Sequence, residues 1–159
     1  MNGNPRQAVT YAYLAGLFDG EGSFRIQKYL SENDRIVHKA KHPTYHAQLV
    51  IGMVDRPAVE MFREVFGGGT VREERVPERR SIWRWALTGR NKIIAVIDQL
   101  MPYLLVKRDH AVIVRGVCAE WETPFNRKLG ISELELRRRE EAYLKIRKLN
   151  AVGAAATTK

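Results

Sequence analysis

Two carboxylates, Asp19 and Glu21, alternate with two glycines, Gly20 and Gly22, where residues 14–22 read LAGLFDGEG. Upstream, Tyr11, Leu14, Leu17 and Phe18 recur at helical spacing, which predicts a helix over about Ala8–Asp19 that ends in GEGS. Both acids then fall at the negative pole of the helix, where carboxylates are disfavoured. The 159-residue chain carries 27 Lys and Arg against 18 Asp and Glu, a net charge of +9. That balance suits a polyanionic partner, nucleic acid ahead of anionic membrane. Acids placed where phosphate must dock would repel the ligand too. A divalent cation between carboxylate and phosphate removes both conflicts, and hard oxygen donors suit Mg²⁺. The glycines permit a sharp exit from the helix and the approach of a backbone carbonyl to an ion. The same residues also read as a plain glycine helix stop with solvated acids.

The elements that would position these acids follow from periodicity. Over 23–30, Phe24 and Ile26 alternate with Arg25, Gln27 and Tyr29, giving a strand with one apolar face. Residues 31–43 are polar, contain Pro43, and read as a loop. A second strand turns Tyr45, Ala47, Leu49, Ile51 and Met53 inward and Thr44, His46, Gln48, Val50 and Gly52 outward. Asp55 then stands at a helix N-cap with Pro57 in the first turn, Val59, Phe62 and Phe66 on the core side, and Gly67–Gly69 as the stop. Strands over about 70–75 and 81–88 place Trp83, Trp85 and Leu87 inward, with Ile82, Arg84 and Ala86 outward. Helices follow over about 91–100, with Ile93, Ile94, Ile97 and Leu100 as the stripe, and over about 106–122, with His110, Ile113, Val114, Val117 and Trp121. Ser132-x-x-Glu135 is a capping box that opens a charged helix to about Leu149.

This order predicts an α+β fold with an antiparallel sheet under helices. Residues 1–122 form its core and 123–159 a helical extension with a frayed tail. The sheet face away from the helices carries Arg25, Gln27, Tyr29, His46, Gln48, Arg72 and Arg84, residue types that read base edges and hold phosphates.

Residues 14–22 resemble the signature of the LAGLIDADG homing endonucleases. Leu14, Ala15, Gly16, Leu17, Asp19, Gly20 and Gly22 match it, Phe18 replaces its second aliphatic residue, and Glu21 replaces its second acid. The αββαββα order from about Ala8 to Trp121 matches the family as well. The resemblance implies a metal-dependent, site-specific endonuclease of the intron-encoded kind, which breaks both strands of a long, near-palindromic DNA site. It implies motif helices packed through Ala12, Ala15 and Gly16, metal held by Glu21 with the Gly20 carbonyl, and a sheet that forms a saddle in the major groove. The sequence contains one copy of the motif and no internal repeat, which implies a homodimer. A strand of eight residues spans ~26 Å, or about eight base pairs per half-site. Mg²⁺ is the implied cofactor, with Mn²⁺ as a substitute and Ca²⁺ supporting binding without efficient cleavage.

Two further positions match more loosely. Lys107, in PYLLVK, takes the place of a lysine near the scissile phosphate, where it would stabilise developing charge or orient water. It also reads as a surface lysine at a helix start. Asp55 falls where the family often has a polar, water-organising residue, commonly glutamine, and competes with its own role as a helix cap. Arg56 beside it is a phosphate candidate. The alternative class is non-enzymatic: an intron RNA-binding maturase, or a DNA-binding regulator, on the same scaffold.

Other signals have plainer readings. His38, His42 and His46 recur every fourth residue, but Pro43 breaks the helix that a zinc site would need. Gly67–Gly69 lacks the Lys-Ser/Thr of a phosphate loop. Glu133, Glu135 and Glu141 pair with Arg137, Arg139 and Lys145 at (i, i+4), which predicts a solvated helix face. Cys118, the only cysteine, sits between apolar neighbours as a buried filler. The chain shows no signal-peptide pattern and no apolar run of membrane-spanning length, so an intracellular protein without a membrane partner is expected.

Overall fold

The computed structural model describes residues 5–29, 43–75, 77–121 and 131–156. Their order is α1 (Pro5–Glu21), β1 (Gly22–Tyr29), β2 (Thr44–Met53), α2 (Arg56–Phe66), β3 (Thr70–Glu74), β4 (Ile82–Thr88), α3 (Arg90–Leu100), α4 (Arg108–Glu120) and α5 (Glu133–Ala156). The four strands form one antiparallel sheet in the order β1-β2-β4-β3. Helices cover one face, so the α+β reading holds.

Alternation along the strands decides which side chains enter the core. Phe24 and Ile26 of β1, Tyr45, Ala47, Leu49 and Ile51 of β2, and Trp85 and Leu87 of β4 are all buried. They meet Leu14, Ala15 and Phe18 of α1, Val59 and Phe62 of α2, and Ile93, Ile97 and Leu100 of α3. Phe18 lies edge-on to Phe24 at 4.9 Å and tilted against Phe62 at 6.1 Å.

Glycines act at two close approaches. A Cβ on Gly22 would lie 2.4 Å from Cγ of Phe18, so β1 can leave α1 only where no side chain intervenes. Gly69 has φ +86 and packs beneath Trp85, whose Nε1 donates to the Gly68 carbonyl at 2.9 Å. Gly67, at φ 64, is the left-handed cap of α2.

Three expectations need correction. The first helix does not stop before GEGS: it continues through Gly20 to Glu21, and β1 begins at Gly22 with no intervening loop. The core face of α4 is Ala111, Val114 and Cys118, while His110, Ile113 and Val117 are only half-buried. The last two of these turn toward α5, which packs along that side and shares a groove with them. The charged helix is not merely a solvated face. Glu133–Arg137 stays exposed, but Glu135 and Arg139 are buried and paired at 2.7 Å, with the Arg139 guanidinium 4.6 Å from the Trp121 ring.

The C-terminal helix is tied to the sheet as well as to α4. Ala142 and Ile146 join the common core. Asn150 donates to the Phe24 carbonyl at 3.2 Å, and Glu140 accepts from Lys28 at 2.7 Å and from the Tyr45 hydroxyl. The Ser132 hydroxyl accepts from the Glu135 amide, as the capping box requires.

Candidate nucleic-acid interface and metal centre

The end of α1 meets the turn before α4, and two residues hold them together. The Asp19 carboxylate accepts from the backbone N–H groups of Leu105 at 2.7 Å, Val106 at 3.1 Å and Lys107 at 2.8 Å. Amides just ahead of a helix lack intrahelical partners and attract anions. Asp19 therefore escapes the unfavourable pole of its own helix by capping another one. The metal expected to relieve both acids is not required for this one.

Lys107 returns the interaction. Its ammonium donates to the carbonyls of Phe18 at 3.1 Å, Asp19 at 2.6 Å and Gly20 at 3.4 Å. A cation on the last carbonyls of a helix satisfies orphan acceptors and offsets the dipole. Burial pulls the Lys107 ammonium below its usual pKa, while Asp19 and Glu21 act to keep it charged. The family resemblance places this lysine near a phosphate, and the plainer reading placed it at the surface; in the metal-free fold it is half-buried with its ammonium on the end of α1. One turn along α4, burial and the Lys107 charge lower the His110 pKa, and its Nδ1 is buried without a partner.

Glu21 is different from Asp19. It is the last residue of α1 and is exposed, as is Gly20, around which 4 Å of space is open where a side chain would begin. Glu21 and the Gly20 carbonyl together offer hard oxygen donors only. Among the described residues no group of three or more His, Cys, Asp or Glu could cage a metal. A donor set this sparse suits Mg²⁺, which keeps several waters and takes the rest of its shell from substrate phosphates.

The outer face of α1 is apolar and uncovered. Val9, Ala12, Tyr13 and Gly16 are exposed at helical spacing, with Val9 at 70% and Tyr13 at 50%. Leu105 and Val106, whose amides donate to Asp19, are also exposed, at 88% and 74%. Ala15 does not belong to it. It is wholly buried in its own core, because it shares the Leu14–Phe18 face of the helix.

Strand register brings the sheet candidates onto one face. Arg25 is level with Gln48 and Gln27 with His46, while Gly52, Arg84 and Arg72 form a row across three strands. Tyr29 donates to Gln27 Oε1 at 2.8 Å and lies edge-on to His46 at 5.4 Å. Arg25 donates to the Ser23 hydroxyl at 3.2 Å, and burial together with the Arg84 charge lowers its pKa. Arg84 is held by the Glu74 carboxylate through Nε at 2.9 Å and Nη2 at 2.6 Å. Sequence reasoning missed Glu74. The signal was its diagonal place to Arg84, since Glu74 pairs with Ile82, two residues back along β4.

A sequence model of the family described as LAGLIDADG endonuclease matches residues 14–111, from the motif helix into α4. The chain belongs to the LAGLIDADG endonuclease family. A search of the curated proteins finds no match. Among solved structures, this LAGLIDADG chain superposes on the homing endonuclease I-CvuI in complex with the I-CreI target with a TM-score of 0.73, at 20% identity over 92% of this chain and 85% of that one. The archaeal intron-encoded homing endonuclease I-Vdi141I complexed with DNA gives 0.67, at 16% identity over 89% and 84%. The LAGLIDADG meganuclease I-AabMI bound to uncleaved DNA gives 0.58, at 17% identity over 84% of this chain but only 43% of that one.

Within the LAGLIDADG chain the remaining candidates have local roles. Asp55, considered as a water-organising residue, caps α2 by accepting from the Ala58 amide at 3.4 Å. Arg56 lies 4.3 Å from the Trp83 ring and donates to Glu60 at 2.8 Å. Of the spaced histidines, His38 and His42 lie outside the described residues, and His46 is on the sheet face. No helix among the described residues is long and apolar enough to cross a membrane.

Proposed function

We propose that this LAGLIDADG chain is a site-specific homing endonuclease that acts as a homodimer on a long, near-palindromic duplex and needs a divalent cation, Mg²⁺ first. The observation that carries the reading is the exposed Glu21 carboxylate at the end of an uncovered apolar helix face, on the rim of a basic sheet surface. A twofold contact through Val9, Ala12, Tyr13 and Gly16 would bring two Glu21 side chains together. Small residues at 12 and 16 let the two backbones approach closely. The overlap with less than half of a meganuclease chain supports a half-molecule that needs its twin.

In this reading Glu21 and the Gly20 carbonyl hold the cation. When bound, Mg²⁺ supplies Lewis-acid stabilisation of the phosphate and lowers the pKa of attacking water. Arg25, Gln27, Tyr29, His46, Gln48, Arg72 and Arg84 bind the duplex through bases and phosphates. Lys107 adds positive charge beside Glu21. Asp55, besides capping α2, is the candidate for organising water. Residues 1–122 are the nuclease core, and α5 of the extension braces β1 from behind. A retained acid at position 21 argues for the enzyme over a maturase or regulator.

The test uses duplex DNA spanning the intron-insertion junction. Mg²⁺ should give a double-strand break, and Ca²⁺ should give binding with little cutting. Glu21→Gln should bind and not cut. Normal cutting by Glu21→Gln would overturn the assignment.

A further inference from the structure

The three oxygens around the Lys107 ammonium are the last-turn carbonyls of α1, and one of them belongs to Gly20. That is the carbonyl proposed to face a divalent cation beside Glu21. The geometry points to Lys107 as a built-in counter-ion, which holds the cation seat at the end of α1 in the metal-free chain and gives it up when a divalent cation binds. The inference rests on the metal-dependent reading of Glu21.

The electrostatics favour a single occupant. The end of α1 collects the negative pole of the dipole and the carboxylates of Asp19 and Glu21 within three residues. One ammonium offsets part of that charge. A divalent cation drawn to the Gly20 oxygen would lie within a few ångströms of Nζ, and like charges at that distance repel strongly. The two therefore compete for the same carbonyl.

The backbone decides where the displaced lysine goes. The Lys107 amide is fixed to Asp19 Oδ1 at 2.8 Å, so the main chain stays in place while the flexible four-carbon stem swings. The ammonium then sweeps the space beside Glu21, where a phosphate would lie. Lys107 would exchange carbonyl oxygens for phosphate oxygens. This accounts for a lysine that the family resemblance directs to a phosphate and the metal-free fold directs to a helix end.

The experiment titrates Mn²⁺ into the full chain without DNA, reads free Mn²⁺ by electron paramagnetic resonance, and follows melting temperature in parallel. Lys107→Met should bind Mn²⁺ about tenfold more tightly than the natural chain, since a repelling charge is gone. It should melt lower without metal and recover on adding it. Lys107→Arg, which keeps the charge, should not gain affinity. Lys107→Gln, which keeps an N–H donor, replaces Lys107→Met where the latter does not fold. Equal or weaker Mn²⁺ binding by the folded neutral variant, including no binding by either protein, overturns the counter-ion role. A gain that survives in the double variant with Glu21→Gln leaves that role standing and removes Glu21 as the ligand.

Discussion

Asp19 and Lys107 cap each other's chain segment. The carboxylate takes the three N–H groups of 105–107, and the ammonium covers the carbonyls of 18–20. The end of the motif helix, which carries Glu21, and the start of α4 are thus tied together from both sides.

Removing the charge from Asp19 should loosen that unit. Hydrogen bonds to a charged acceptor contribute about 1.5–3 kcal/mol each, part of which an amide oxygen retains. Asp19→Asn is expected to cost about 2 kcal/mol in urea unfolding. An unchanged midpoint would mean that water serves the three amides equally well.

The final glycine of the motif should be intolerant for a packing reason. A methyl group on Gly22 would penetrate the Phe18 ring, which is wholly buried and cannot retreat. Gly22→Ala should lower stability by about 2–3 kcal/mol, in the range of overpacked cores. Pairing it with Phe18→Leu should recover part of the loss in thermal melts; no recovery would place the strain elsewhere.

Glu74 should tune how Arg84 meets DNA. The Arg84–Glu74 pair is solvent-exposed, so Glu74→Ala should change stability by less than about 1 kcal/mol. On a duplex selected from a random pool it should bind more tightly and discriminate less among bases, because it removes a repelling charge and frees the arginine. Arg84→Ala should reduce the salt slope of binding by about 0.9 for one lost phosphate contact. Binding by both variants that matches the natural chain at every salt concentration would remove Arg84 from the interface.

Acid should release α5 from the sheet. Donation from Lys28, then from the Tyr45 hydroxyl, holds Glu140 below its ordinary pKa of 4.5. A depressed carboxylate stabilises the fold above its unfolded pKa, and that contribution disappears as pH falls through the folded value. The loss therefore lies below about pH 4.5. The partner shift has the opposite sense: Lys28 is raised by the Glu140 hydrogen bond, so its contribution persists until pH rises through its folded value. Glu140→Gln should flatten the acid limb of melting temperature against pH. A limb as steep as that of the natural chain would assign acid sensitivity to other carboxylates.

Much of this architecture was legible along the chain. Period-two alternation in 23–29, 44–49 and 82–88 separated the buried faces from the polar ones, because burial of one sheet face leaves no freedom in register, whereas Val50, expected outward, is buried on the other face of β2. The Asp55 cap and the Ser132 capping box were legible because their partners lie three residues away. What escaped the sequence involved distant partners. Asp19 finds its amides 86 to 88 residues later, and Glu135 and Arg139 became buried where their helix packs near Trp121. Ala15 looked equivalent to Ala12 and Gly16, yet only it faces the core. Local pattern determined which residues prefer burial and which elements they form. Which charge neutralises which, and which small residue is left exposed, was decided only when distant segments packed, since a polar group's partner is a property of space and not of spacing.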